Sequence, residues 1–188
     1  KSICFQLPAV IGDGKTIVVS PIIALMDDQI AALKDLGIAG ETIHSGKTRE
    51  ANVISWRNFI GGSVKLLYIS PERLMQIRML ETLKSYNVGM FVIDEAHCIS
   101  KWGAGFRPDY EALTELKQHF PNAVIAAFTA TADRSTRLDI NKKLTGGDGV
   151  IIVRGFDRPN LSLSVRSKES VKVNIASYLK LNTGRCGI

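Results

Sequence analysis

Two adjacent acids, Asp94 and Glu95, close an apolar run, and His97 follows two residues later. Carboxylates at the end of a buried strand are costly unless they hold a cation or accept hydrogen bonds. Neighbouring residues there point in different directions, so one acid can ligate Mg²⁺ while the other orients a water. Phosphoryl transfer to water needs that division of labour. A plainer role is equally open to the bare pair, an acidic cap where a strand turns into a helix. A second group opens the chain. Lys1-Ser2 matches the last two positions of Gly-x-x-x-x-Gly-Lys-[Ser/Thr], in which amides and lysine bind phosphates and the hydroxyl binds Mg²⁺. Two residues are little by themselves; a strand-end Asp-Glu downstream gives them weight. Trp102, Phe106, Arg107 and Tyr110 then stand among glycines. Aromatic faces stack on bases of any sequence and arginine pairs with phosphate, but the same rings also suit a small satellite core beneath a loop.

The elements that must position these groups alternate regularly. Residues 16–20, 65–70, 89–93, 123–128 and 150–153 are unbroken apolar runs that predict buried strands. Helical periodicity covers 22–36, 48–60, 75–86, 108–120 and 132–144, with Pro108 in a first turn and Asp133 as a cap. Crossovers of this length imply a mostly parallel α/β sheet with helices on both faces. In such sheets ligands bind outside the carboxyl ends of the strands. Ser20-Pro21, Ser70-Pro71, Asp94-Glu95 and Thr129-Ala-Thr131 all stand there. After Val153 the texture changes to a turn-rich connector, with an alternating stretch at 161–165 and a helical one at 167–181.

Composition sets the outer limits. The chain has 188 residues and a net charge of +6. Residues 1–100 carry 10 basic and 10 acidic side chains, while 101–188 carry 14 and 8, so the whole excess lies in the second part. A basic half suits a polyanion, and solubility alone would also explain it. No apolar run is long enough to span a bilayer, so no membrane partner is expected. Cys4, Cys98 and Cys186 lack zinc-site spacing and read as reduced, interior thiols. His44 and His119 are expected at the surface without partners.

Six stretches in order carry a family resemblance. They are Lys1–Ala9, Val18–Gln29, Tyr68–Leu74, Asp94–Tyr110, Phe128–Ala132 and Phe156–Leu161. Asp94-Glu-Ala-His97 with Phe128-Thr-Ala-Thr-Ala132 resembles motifs II and III of superfamily 2 helicases. The continuation through Trp102-Gly-Ala-Gly-Phe-Arg-Pro108 narrows the resemblance to RecQ-type DNA helicases. It implies the first RecA-like lobe of a P-loop ATPase over residues 1–159. Residues 160–188 would be a linker and the opening of the second lobe, with the chain cut at both ends. It further implies ATP and Mg²⁺ as cofactors, single-stranded and duplex DNA as partners, and a second RecA-like lobe of the same chain completing the site. Translocation would run 3′ to 5′, in DNA repair and recombination, in the bacterial cytoplasm at the nucleoid or in a nucleus.

The resemblance also distributes roles. Lys1 and Ser2 would contact the nucleotide phosphates, Ser2 and Asp94 the Mg²⁺, and Glu95 the attacking water. His97 would lie between the nucleotide and DNA sides, while Thr129 and Thr131 would relay nucleotide state. Trp102, Phe106 and Arg107 would sense single-stranded DNA. Ser20, Pro21, Ser70 and Arg73 are expected to offer hydroxyls, amides and charge to the DNA backbone, or else to be ordinary strand-end turns. The family usually has Gln at Lys101, His at Ala104 and Asp at Gly105. The loop here is therefore less polar and more flexible, and weaker DNA stimulation is expected. Two other functions compete: a non-catalytic nucleic-acid-binding module on the same fold, and a DEAD/DEAH-type RNA helicase. The 188-residue piece alone is expected to be inactive.

Overall fold

The computed structural model describes residues 2–101, 105–155, 160–161, 165 and 170–181. The chain divides into two compact units, Lys1–Ile151 and Ile152–Ile188. The first opens with helix α1 (Ile3–Ile11), strand β1 (Lys15–Val19), α2 (Ile23–Asp35), β2 (Gly40–Ile43) and α3 (Arg49–Ile60). β3 (Leu66–Ile69), the short helices α4 (Pro71–Leu74) and α5 (Ile77–Leu83), and β4 (Val88–Ile93) come next. After a 3₁₀ turn over Ala96–Ile99 the chain forms α6 (Pro108–Glu111), α7 (Leu116–His119), β5 (Val124–Ala127) and α8 (Arg134–Thr145). In the second unit the described element is α9 (Val171–Leu181).

All five strands pair in parallel, in the order β2-β3-β1-β4-β5. Alternation along the strands explains the layers. Ile17, Val19, Leu67, Ile69, Phe91 and Ile93 point to one face, where Phe59, Leu83, Tyr110 and Leu116 cover them. Val18, Leu66, Tyr68 and Val92 point to the other, against Phe5, Ala9, Met26 and Leu33. Helices α1 and α2 thus cover one face, and helices α3 to α8 the other. Because β1, β3 and β4 are covered twice, their sequences are apolar at consecutive positions. Caps set two helix starts: Thr48 Oγ1 accepts from the Ala51 amide at 3.2 Å and Asp133 Oδ1 from the Thr136 amide at 2.7 Å. The Asp133 carboxyl is held below its usual range by the Thr136 and Ser135 hydrogen bonds. Gly146, at φ 71°, ends α8 in the left-handed conformation that suits glycine.

Several elements differ from the sequence reading. β2 falls in a stretch (Gly-Glu-Thr-Ile) too polar to read as a strand, since only Thr42 and Ile43 are buried. Residues 150–153 form no strand and are exposed, Val150 at 89%. The helix expected over 75–86 is broken at Gln76, which is extended at φ −64°, ψ 129°. Leu74 and Leu80, six residues apart, would stand about 120° apart around an unbroken helix; with the break both are buried. The helix expected over 108–120 is α6, a 3₁₀ turn (Ala112–Glu115) and α7. Its buried Tyr110, Leu113 and Leu116 are spaced by three, the period of a 3₁₀ helix. Of the alternating stretch at 161–165, residues 162–164 lie outside those described. Cys98 is buried as expected, but Cys4 is exposed on α1; Cys186 lies outside the described residues. His44 is no surface residue either. It is 3% exposed, takes the Gly46 amide at Nδ1 (3.2 Å) and faces Asp27 from Nε2 (3.1 Å). His119 is half-buried, 4.0 Å from Glu115.

Candidate nucleotide site at the carboxyl ends of β1 and β4

Strand β4 runs out at Ile93 and the chain turns at Glu95, whose φ of 48° and ψ of 43° are left-handed. It is the one non-glycine residue with positive φ among those described. Such a conformation costs on the order of 1–3 kcal/mol and persists where its surroundings over-determine it. Here they do. The Glu95 amide donates to Asp94 Oδ1 at 2.9 Å, the Ala96 amide to the Phe128 carbonyl at 2.9 Å, and Tyr110 Oη to the Asp94 carbonyl at 3.1 Å. Tyr110 is fully buried, and burial pushes its phenol well above the usual range. Glu95, which stands at the N-cap position of the 3₁₀ turn, makes no side-chain cap bond.

The turn aims Glu95 and His97 at each other. Glu95 Oε2 lies 3.2 Å from His97 Nδ1, which is also 3.1 Å from Thr129 Oγ1 and 3.3 Å from Thr131 Oγ1. One nitrogen carries at most one proton, and an ionised carboxylate only accepts. Nδ1 therefore either donates to Glu95 or accepts from a threonine hydroxyl. The two arrangements differ by a proton and a hydroxyl rotation. Thr129 also takes the Thr131 amide at 3.3 Å, so the two threonines form one unit. At the opposite edge of the ring, a Cβ at Gly105 would lie 3.0 Å from Nε2. Glycine lets the following loop pack its backbone against His97.

Beside this cluster is a cavity of about 220 Å³ bounded by Ser2, Ser20, Asp94 and Glu95. Phe5, Leu25, Gln29 and Tyr68 complete it. Gln6 links Gln29 (2.9 Å) and Tyr68 Oη (3.0 Å), and burial pushes the Tyr68 phenol up to about 12. Gln29 and Tyr68 escaped the sequence reading as site residues although both fall inside quoted motifs, because nothing in their type separates them from core. Ser20 is 1% exposed and its hydroxyl has no partner among the described residues. Buried hydroxyls are ordinarily hydrogen-bonded, so the orphan fits a bound group or its hydration. Among the described residues no three His, Cys, Asp or Glu cluster into a metal cage. One carboxylate and one hydroxyl, Asp94 and Ser2, suit a magnesium that keeps waters and phosphate oxygens.

The residues expected on the nucleic-acid side are dispersed. Trp102 lies outside the described residues, as does Lys1, which was expected at the nucleotide phosphates. Phe106 is half-buried, with Lys101 Nζ 5.6 Å from its ring centroid and paired to Glu111 at 3.2 Å. Arg107 is exposed and donates to the Pro21 carbonyl at 3.4 Å, joining its loop to the end of β1. The serines depart from expectation. Ser20 is buried beside the nucleotide-side cavity, and the buried Ser70 donates to Glu72 at 2.6 Å, so neither hydroxyl is open to a strand. Arg73 lies not beside Ser20 but in a second cavity with Arg49 and Trp56.

A family model described as DEAD/DEAH box helicase matches residues 1–139. The chain belongs to the DEAD/DEAH box helicase family. Its Asp94-Glu-Ala-His97 is the box itself, and the RecQ resemblance holds over the whole chain. The ATP-dependent DNA helicase RecQ of Haemophilus influenzae is 39% identical over 188 residues, covering 100% of this chain and 30% of that protein. The ATP-dependent DNA helicase Q1 of Mus musculus is 38% identical over 195 residues, 98% of this chain and 30% of the relative. The chain thus spans about 30% of the curated relatives it matches. Among solved structures, a hypothetical ATP-dependent RNA helicase from Sulfolobus tokodaii superposes with a TM-score of 0.59 at 18% identity. It covers 77% of this chain and 42% of that one. The DUF1998 helicase MrfA bound to DNA gives 0.55 at 18% identity, over 78% and 22%. These neighbours share the RecA-like helicase fold seen here as a parallel sheet. Among the described residues, no helix is long and apolar enough to cross a membrane.

Proposed function

We propose that residues 1–159 form the first motor lobe of an ATP-dependent DNA helicase that translocates 3′ to 5′ on single strands and unwinds duplexes in repair or recombination. Residues 160–188 lead into a second RecA-like lobe that completes the nucleotide site. Such a motor works wherever DNA lies, at a bacterial nucleoid or in a nucleus. The observation that carries the reading is the left-handed Glu95, its carboxylate 3.2 Å from His97 Nδ1 and bordering the cavity of Ser2 and Asp94. Intact acids, threonines and box histidine argue against a module with no hydrolysis to perform. The relatives at 38–39% identity are named as DNA helicases, which favours DNA over RNA.

In this reading Asp94 and Ser2 would hold Mg²⁺, which when bound would neutralise charge on the nucleotide phosphates. Glu95 orients the attacking water and accepts its proton. His97 is a positioning residue: Nδ1 donates to Glu95 in one arrangement and accepts from Thr129 or Thr131 in the other, so hydroxyl rotation alters the carboxylate that holds the water. Phe106 and Arg107 contact the strand, and Trp102, outside the described residues, is assigned to the same role by the motif it belongs to. The test is ATP turnover by the full-length protein with and without single-stranded DNA. DNA should stimulate turnover, and Glu95→Gln should lower kcat by about 10²–10⁴ while nucleotide binding persists. An unchanged rate in that variant would overturn the role of Glu95. The 188-residue chain by itself should not turn over; turnover that Glu95→Gln abolishes would show otherwise.

A further inference from the structure

A second cavity of about 230 Å³ lies at the other end of the same sheet edge, where β2 runs out at Ile43. Its apolar part comes from Ile43, Val53, Trp56 and Met79, and Arg49 and Arg73 flank it. Trp56 is backed by Phe59 at 6.0 Å and by Tyr86 edge-on at 6.5 Å, so the indole is fixed rather than free. Neither guanidinium has a carboxylate within 4.0 Å among the described residues. Of the acids next to them in sequence, Glu72 is taken by Ser70 at 2.6 Å. Asn52, also in the wall, is committed to the His44 backbone at 3.0 and 3.2 Å. The cavity therefore offers a fixed aromatic and apolar surface with two uncompensated positive charges. That combination is complementary to a nucleobase attached to phosphate.

The sheet order gives a strand a route to it. Carboxyl-end loops follow one another along the edge as β4, β1, β3, β2. Phe106 and Arg107 lie by the first two, since Arg107 reaches the Pro21 carbonyl. Arg73 follows β3 and Ile43 ends β2. Two strand spacings, about 10 Å, separate β1 from β2. At 230 Å³ the cavity is just below the ~300 Å³ of small-ligand pockets and suits one nucleotide unit.

We propose that this cavity is a base-binding subsite for single-stranded nucleic acid, with one base against Trp56 and the adjoining phosphates on Arg49 and Arg73. The inference rests on the reading of the chain as a DNA motor lobe and adds a place where the strand is gripped by a base rather than by its backbone.

The test is equilibrium binding of a labelled oligo-dT to the full-length protein over a salt series, beside an abasic strand of equal length. Combining Arg49→Glu with Arg73→Ala should weaken binding about tenfold or more and reduce the salt slope by roughly 1.4, about 0.7 per lost phosphate contact. Trp56→Leu should cost about fivefold or more on oligo-dT and nothing on the abasic strand. Val53→Glu is a variant at a partly exposed rim position that does not threaten folding, and it should weaken binding as well. If all variants bind oligo-dT like the wild type, while Phe106→Ala and Arg107→Ala weaken it, the subsite is wrong and the motor-lobe reading stands. If the wild type binds no single strand, that reading fails and the subsite with it. Binding of a labelled Asp/Phe peptide that Arg49→Glu abolishes, with oligo-dT affinity unchanged, assigns the cavity to a protein partner and overturns the proposal.

Discussion

The two cavities on this sheet edge share a scaffold and differ in everything else. The one between β1 and β4 is bounded by carboxylates and hydroxyls, and its key side chain sits on a strained backbone. The one at β2 is apolar and cationic, and its residues belong to the end of β2 and to helices α3, α4 and α5. The first fixes the direction of a few polar atoms, which is what a water and a cation need. The second presents shape and charge, which is what a polyanion of any sequence needs. A parallel sheet can carry both because each carboxyl end feeds an independent loop, and the buried strands keep the loops in order.

The sharpest way to break that contrast is at Gly105. A Cβ there would lie 3.0 Å from His97 Nε2, so Gly105→Ala forces the ring or the loop to move by a few tenths of an ångström. A catalytic constellation tolerates such shifts poorly, and a full ångström can cost 10²-fold. We expect Gly105→Ala to lower DNA-stimulated kcat by roughly tenfold, with the affinity for oligo-dT at the second cavity unaffected. Equal stimulated rates in the two proteins would mean that the loop packing does not reach Glu95 through His97. This position also changes what the sequence alone suggested. Glycine in place of the family aspartate reads as lost polarity and added flexibility; the structure adds a close approach that a side chain would obstruct.

Legibility followed burial. β1, β3 and β4 were readable because both faces are covered, so the apolar pattern has no gaps. Glu95 and His97 were readable because the box residues are consecutive in sequence. The contact of His97 with Thr131, 34 residues away, was not readable, since spacing along the chain carries no such information. β2 was not readable because an edge strand keeps its polar residues. Ser20 and Ser70 were readable as strand-end residues, but the choice between backbone contact and an ordinary turn was not, because strand-end position does not say which way a hydroxyl points. Trp56 and Arg49 looked like ordinary residues of an amphipathic helix. Their meeting with Arg73 depends on α4 breaking from α5 at Gln76, which no periodicity announces.

A smaller effect separates support from chemistry. Tyr110 holds the Asp94 carbonyl from a fully buried position. Tyr110→Phe keeps the ring and leaves that carbonyl unpaired, a loss of about 1–2 kcal/mol. Urea unfolding should show it as a lower midpoint with an unchanged slope. Nucleotide turnover should fall only to the extent that the Glu95 turn relaxes, so a stability loss with retained turnover would assign the turn to the surrounding amide bonds instead.

The smallest effect is on the other side of the comparison. Thr48 caps α3, the helix that begins with Arg49 and carries Trp56. Thr48→Ala removes one acceptor for the amides of the first turn and should cost about 1 kcal/mol. The loss falls where Arg49 is anchored, whereas Trp56 sits two turns further along and is held by Phe59 and Tyr86. The variant should therefore weaken phosphate contact more than base contact. In binding terms, oligo-dT and abasic strands should lose the same small factor, and nucleotide affinity at the β1–β4 cavity should not change. A loss confined to oligo-dT would mean that the cap orients the indole, and that the helix moves as one body rather than fraying at its start.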